Sequence, residues 1–153
     1  MLRILFSVLG IFSYSALAVH GRGCEDGAYD WSDKNECIQA FGAVVDQNAA
    51  RQSCIHLDYF QFQGQLVQPH SLFENTQVAT LVKGLGQNSF IGVEKSNNVS
   101  WTYVDGTELV YRNWAAGEPN PNHACAAMQI DGQWRSVDCD TAMSFVCSYP
   151  DNK

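Results

Sequence analysis

Basic residues are scarce in this 153-residue chain: 9 Lys and Arg stand against 16 Asp and Glu, for a formal charge of -7. An acidic surface repels phosphate backbones and anionic lipid heads, so nucleic acid and polybasic membrane docking are excluded as leading functions. Neutral glycans, cationic partners and divalent cations remain open. Long apolar runs are missing too. The most apolar stretch, Ile4 to Phe12, falls well short of the ~20 residues that a membrane-spanning helix needs. With Arg3 ahead of it and Ala16-Leu17-Ala18 behind, it reads as a secretory signal over residues 1–18 rather than as an anchor. Only 4 prolines are present, with no Pro- or Ser-rich linker, no low-complexity tract and no internal repeat. One domain is therefore expected, and 46% hydrophobic residues supply it with a core.

Catalytic signatures are also wanting. His20, His56, His70 and His123 fit no His-Glu-x-x-His spacing, there is no Gly-x-Ser-x-Gly elbow, and no Cys-x-x-Cys unit suggests a zinc ribbon or a redox dithiol. Asp138 and Asp140 read as solvated surface rather than as paired catalytic carboxylates. The chain does not read as an enzyme.

What is present is a set of six cysteines, Cys24, Cys37, Cys54, Cys125, Cys139 and Cys147, all beyond the signal. An even number in a secreted chain points to disulfides, although six cysteines permit ~15 pairings that spacing cannot resolve. Asp46 can cap a first helix running through Ala49, Ala50 and Cys54. Ser71-Leu72-Phe73-Glu74 matches a capping box, followed by Phe73, Val78, Leu81 and Val82 at helical spacing, which predicts a second helix from about Ser71 to Lys83, ending at Gly84. Short apolar segments then alternate with turn residues: Phe90 to Val93, Trp101 to Tyr103, Ala126 to Met128 and Phe145 to Cys147. Helices first and strands later predict an α+β domain rather than a parallel sheet. Between Asp105-Gly106 and Met128 runs a long segment rich in Gly, Pro and Asn, of a length that is usually functional, with Tyr111 and Trp114 available to pin it to the core.

The ordered motifs Cys54, Gly64-x-Leu66, Phe73-Glu74-Asn75, Phe90-Ile91-Gly92-Val93, Trp101-x-Tyr103, Asp105-Gly106, Asn113-Trp114, Glu118-Pro119-Asn120, Cys125, Gly132-x-Trp134, Cys139 and Phe145-Val146-Cys147 resemble a C-type lectin-like domain. The resemblance covers residues 24–149 and implies two helices packed on short antiparallel sheets, a long ligand-binding loop, and bridges Cys54 to Cys147, Cys125 to Cys139 and Cys24 to Cys37. Closing a loop of roughly 93 residues is worth about 4 to 5 kcal/mol in the chain-entropy model. Two departures stand out: Gln47 occupies a position where the family often has an aromatic, and the surplus after Cys54 carries Tyr59, Phe60 and Phe62, either a partner-binding patch or residues buried under a neighbouring loop.

In sugar-binding relatives a Glu-Pro-Asn with cis proline, a Trp-Asn-Asp and a further Glu surround one calcium ion that takes two sugar hydroxyls. Calcium needs ~6 to 8 oxygens, so the carboxylates must converge. Here Glu118 and Asn120 keep calcium-ligand positions, but His123 replaces the further Glu, and Arg135 and Ser136 replace Asn-Asp. Calcium is therefore not expected at the usual sugar site. Arg135 should repel the ion or take its place by bonding to Glu118, and Asp138 lies ~6.6 Å too far along a strand to rescue the shell. The implied function is a secreted, extracellular binding protein of the kind used in innate immunity. It would recognise carbohydrate weakly or without calcium through Glu118, Asn120, His123 and Arg135, or, having lost sugar binding, an extracellular protein instead. Asn98-Val99-Ser100 is an N-glycosylation sequon in a polar turn.

Overall fold

The computed structural model describes residues 24, 27–31, 33–57, 64–97 and 99–151. The signal, the Tyr59, Phe60 and Phe62 cluster and Asn98 lie outside the described residues.

A β-hairpin of β1 (Tyr29–Trp31) and β2 (Glu36–Val45) opens the domain. The prediction of helices before strands is thus corrected, because a ten-residue strand precedes both helices. Little in its own sequence announces it, since β2 buries only Cys37 and Ile38 and has no sustained alternation. Its strand state comes from pairing with β8 (Met143–Pro150), over a hundred residues away, in a register from Glu36 opposite Pro150 to Val45 opposite Met143.

Helix α1 (Gln47–Ile55) starts where expected: Asp46 accepts a hydrogen bond from the Ala49 amide at 2.8 Å, satisfying one orphan donor. Gln47, standing where an aromatic was expected, is buried and donates to Glu94 Oε2, which also receives Arg51. A polar network thus fills the aromatic's place. Helix α2 (Leu72–Leu85) departs from its prediction in three respects. Ser71 caps Glu74, but Glu74 reaches back to the amide of His70 rather than that of Ser71. Phe73 is 66% exposed, and the buried face is Asn75, Val78 and Val82. The helix passes Gly84 and ends at Gly86, whose φ of 69° supplies the left-handed turn that closes the last carbonyls.

The remaining strands are β3 (Gln65–Leu66), β4 (Ser89–Ser96), β5 (Ser100–Tyr103), β6 (Cys125–Met128) and β7 (Trp134–Val137). One sheet runs β1-β2-β8-β4-β6-β7, with β3 added on β8 and β5 on β4. All pairings are antiparallel except β4 with β8, a local parallel contact that the expected antiparallel sheets did not include. There the hydroxyls of Ser89 and Ser144 meet at 2.7 Å, fully buried; with Ser144 donating to the Asn88 carbonyl at 2.9 Å, Ser89 donates to Ser144. Gly92 is required at the centre: a Cβ there would run into the Leu66 carbonyl, and its amide donates to Val67 at 2.7 Å.

All three expected bridges form: Cys24 to Cys37, Cys54 to Cys147 and Cys125 to Cys139. The second ties α1 to β8, and the third ties β6 to the turn after β7. Trp134 is the hub on the loop side. Wholly buried, it donates from Nε1 to Asn75 Oδ1 at 2.7 Å, joining β7 to α2.

Candidate functional site: a loop organised around Glu118

The long segment leaves β5 through a tight turn in which Asp105 Oδ1 accepts from the amide and hydroxyl of Thr107. Leu109 is then buried in the core. Tyr111 and Trp114 meet Trp134 edge-on, with centroids 5.6 and 5.7 Å away, and Trp114 meets Trp101 at 4.7 Å. The pinning expected of Tyr111 and Trp114 is therefore present. Backbone bonds complete it: Trp134 N–H donates to Asn113 O and Ala115 N–H to Trp134 O. Asn113 and Asn75 both donate to the carbonyl of Gly132, so helix, loop and the turn before β7 share one acceptor.

Past this anchor, Gly117 takes a φ of 82°, and the Glu118-Pro119 peptide is cis. The Glu118 side chain turns inward, only 15% exposed, onto β7. Its Oε2 accepts from the Ser136 hydroxyl at 2.6 Å, the Ser136 amide at 3.0 Å and the Asn120 amide at 3.1 Å. The Ser136 hydroxyl in turn accepts from the Asn120 amide at 2.7 Å. Burial pushes the Glu118 carboxyl up, but the donors of Ser136 and Asn120, with Arg135 behind them, outweigh it and hold the group below the ordinary carboxylate range. The carboxylate is an internal strut.

The other predicted residues gather around it. Asn120 Oδ1 accepts from the Asn122 amide, and the Asn120 carbonyl from the His123 amide. His123 Nδ1 lies 2.9 Å from the Ser136 carbonyl, and since a carbonyl only accepts, that nitrogen carries the proton. Arg135, half exposed, approaches Glu118 Oε1 with Nε at 3.8 Å, an ion pair too long for a hydrogen bond. The expected bonding of Arg135 to Glu118 is thus corrected: Ser136 wins the carboxylate, because its short side chain points inward from β7 while Arg135 points out. Asp138, outside β7 and exposed, accepts from the Asp140 amide in the following turn.

Ser136 is the residue that sequence reasoning undervalued. Seen only as a lost metal ligand, it bonds Glu118 through both its hydroxyl and its amide and accepts from the Asn120 amide, which its identity alone does not signal. Lys95 was missed altogether; its amide donates to Ala124 and its Nζ to Pro121 at 2.7 Å, from a strand far away in sequence.

This donor set does not match a calcium shell. One carboxylate is present, one of its oxygens is already bonded three times, the Asn120 amide oxygen is spent on Asn122, and a permanent cation stands beside Glu118. Nor is it the arrangement of an activated nucleophile. The buried Ser136 hydroxyl gives its proton to Glu118, and the protonated Nδ1 of His123, 3.5 Å away, cannot accept it.

Residues 45–149 match the Lectin C-type domain family, and with the two helices, the stapled sheet and the long loop in place the chain belongs to that family. It is 32% identical over 116 residues to Collectin-43 of Bos taurus, a match covering 71% of this chain and 34% of the collectin, so the chain spans about a third of that relative's length. Human lithostathine has a similar structure, with a TM-score of 0.72 at 25% identity over 82% of this chain and 89% of lithostathine. A calcium-independent type II antifreeze protein shares the fold, with a TM-score of 0.70 at 22% identity, over 84% and 96% of the two chains. These relatives are binding proteins of the lectin-like class. Among the described residues no helix is long and apolar enough to cross a membrane.

Proposed function

We propose that the chain is a secreted carbohydrate-recognition module that organises its sugar-site loop without calcium and binds saccharides there weakly or independently of the metal. The observation that carries this reading is the threefold bonding of Glu118 Oε2, which supplies from within the protein the order that a metal ion would otherwise impose. Extracellular residence is supported by three bridges, by the signal read at residues 1–18 and by similarity to a collectin. Glycosylation at Asn98 and a part in innate immunity belong to the same proposal. A glycan array run with and without chelator tests it. Signal that survives chelation is expected; signal abolished by chelation and restored by calcium would refute it.

A second reading, a protein-binding module that has lost sugars, draws on Leu72 and Phe73, exposed side by side at 68% and 66% at the head of α2. Silence across the array, with capture of an extracellular protein that Leu72→Asp/Phe73→Asp abolishes, would favour it.

A further inference from the structure

Which saccharides the Glu118 loop takes depends on the polar atoms left over once the loop has satisfied itself. Most of the good acceptors are spent. Glu118 Oε2, Asn120 Oδ1, the Ser136 carbonyl and the Pro121 carbonyl all receive donors from the protein. The donors are not. Arg135 offers five N–H groups in a planar fork, and among the described residues its only partner is Glu118 Oε1 at 3.8 Å. Asn120 Nδ2 donates to nothing among the described residues, and Lys95 Nζ uses one of its three N–H groups on Pro121. Among the side-chain acceptors of Glu118, Asn120 and His123, two have no hydrogen bond to the described residues, Glu118 Oε1 and His123 Nε2.

A neutral sugar hydroxyl is best served by a partner of each kind, whereas a surplus of donors headed by a guanidinium suits an anionic group. The planar fork matches the two oxygens of a carboxylate or of a sulfate ester and holds them more firmly than it holds a hydroxyl. The local charge agrees. In a chain with a formal charge of -7, Glu118 and Arg135 cancel, and Lys95, clamped to the same loop, leaves an excess of one positive charge there. Of the acids nearest along the chain, Glu94 is paired with Arg51, Asp131 accepts from the Gln133 amide, and Asp138, in the turn beyond β7, accepts from the Asp140 amide.

Resting on the calcium-independent reading above, we propose that the surface around Glu118 and Arg135 selects saccharides carrying a carboxylate or a sulfate. Arg135 reads the charge, while Glu118 Oε1 and Asn120 Nδ2 engage neighbouring hydroxyls. Arg135 is then the specificity-determining residue. It lies outside the hydrogen-bonded strut, so its replacement leaves the loop standing.

The test compares lactose, 3′-sialyllactose and 3′-sulfolactose against the full secreted chain in chelator, by ligand-observed NMR with competition. At least one charged probe should bind about tenfold or more tighter than lactose, a gap that closes with Arg135→Gln and partly persists with Arg135→Lys. Preference for only one of the two charged probes identifies the anion as carboxylate or sulfate and supports the proposal. Equal binding of lactose and both charged probes would overturn the charge selection and leave calcium-independent sugar binding intact, as would a preference unchanged in Arg135→Gln at an unaltered thermal midpoint. No binding of any saccharide would bring down both.

Discussion

The two ends of this domain are held together by different means. At the scaffold end, α1, β2 and β8 are joined by the Cys54 to Cys147 bridge, a long strand ladder and an apolar cluster that includes Phe90 and Phe145. At the loop end, residues 105–124 form no strand of the sheet; the segment rests on three edge-on aromatic contacts of Tyr111 and Trp114 and on one largely buried carboxylate that gathers the donors of Ser136 and Asn120. The scaffold is stapled covalently, and the loop is tied by polar bonds that work only while Glu118 is ionised and Ser136 keeps its hydroxyl. The order of the loop thus rests on these two side chains.

Breaking the staple gives the largest effect. Replacing Cys54 and Cys147 by Ala should lower the unfolding free energy by about 2 to 5 kcal/mol, measured by denaturant titration. A loss near zero would mean that the ladder alone holds the scaffold. At the loop end, Ser136→Ala removes a short bond to a charged oxygen and should destabilise by about 1.5 to 3 kcal/mol. The damage should be local, appearing as faster amide exchange at Asn120 while β2 and β8 stay protected.

Acid probes the same joint. Because the folded Glu118 is held below the ordinary carboxylate range, its contribution is complete above that range and fades as pH falls through the depressed folded value. The protection factor of the Asn120 amide should fall in that acid window more than those on β8, and Ser136→Ala should blunt the difference. The smallest change belongs to Arg135→Gln. A half-exposed ion pair at 3.8 Å is worth up to about 1 kcal/mol, so the thermal midpoint should barely move.

This contrast also explains what could be read from the sequence. The caps of both helices were legible because Asp46 and Ser71 act on amides three residues away. Tyr111 and Trp114 were legible as anchors because large aromatics in a polar segment have few other uses. The β2 strand was not, since its partner lies at the other end of the chain and its own pattern is weak. The site was half legible. Glu118 and Asn120 were legible from their motif, but Ser136 as the organiser depends on the inward side of β7 meeting a loop 18 residues earlier. Lys95 reaching Pro121 is a tertiary contact that no local signal carries.

The central claim is that the Glu118 loop stands without a divalent ion, and thermal unfolding in chelator against millimolar calcium tests it most directly. A site with a micromolar constant, at a hundredfold excess of ion, would add about 2.7 kcal/mol to the folded state and raise the midpoint by several degrees. The account predicts coincident melting curves. A midpoint that climbs with calcium and stops climbing in Glu118→Gln would contradict it.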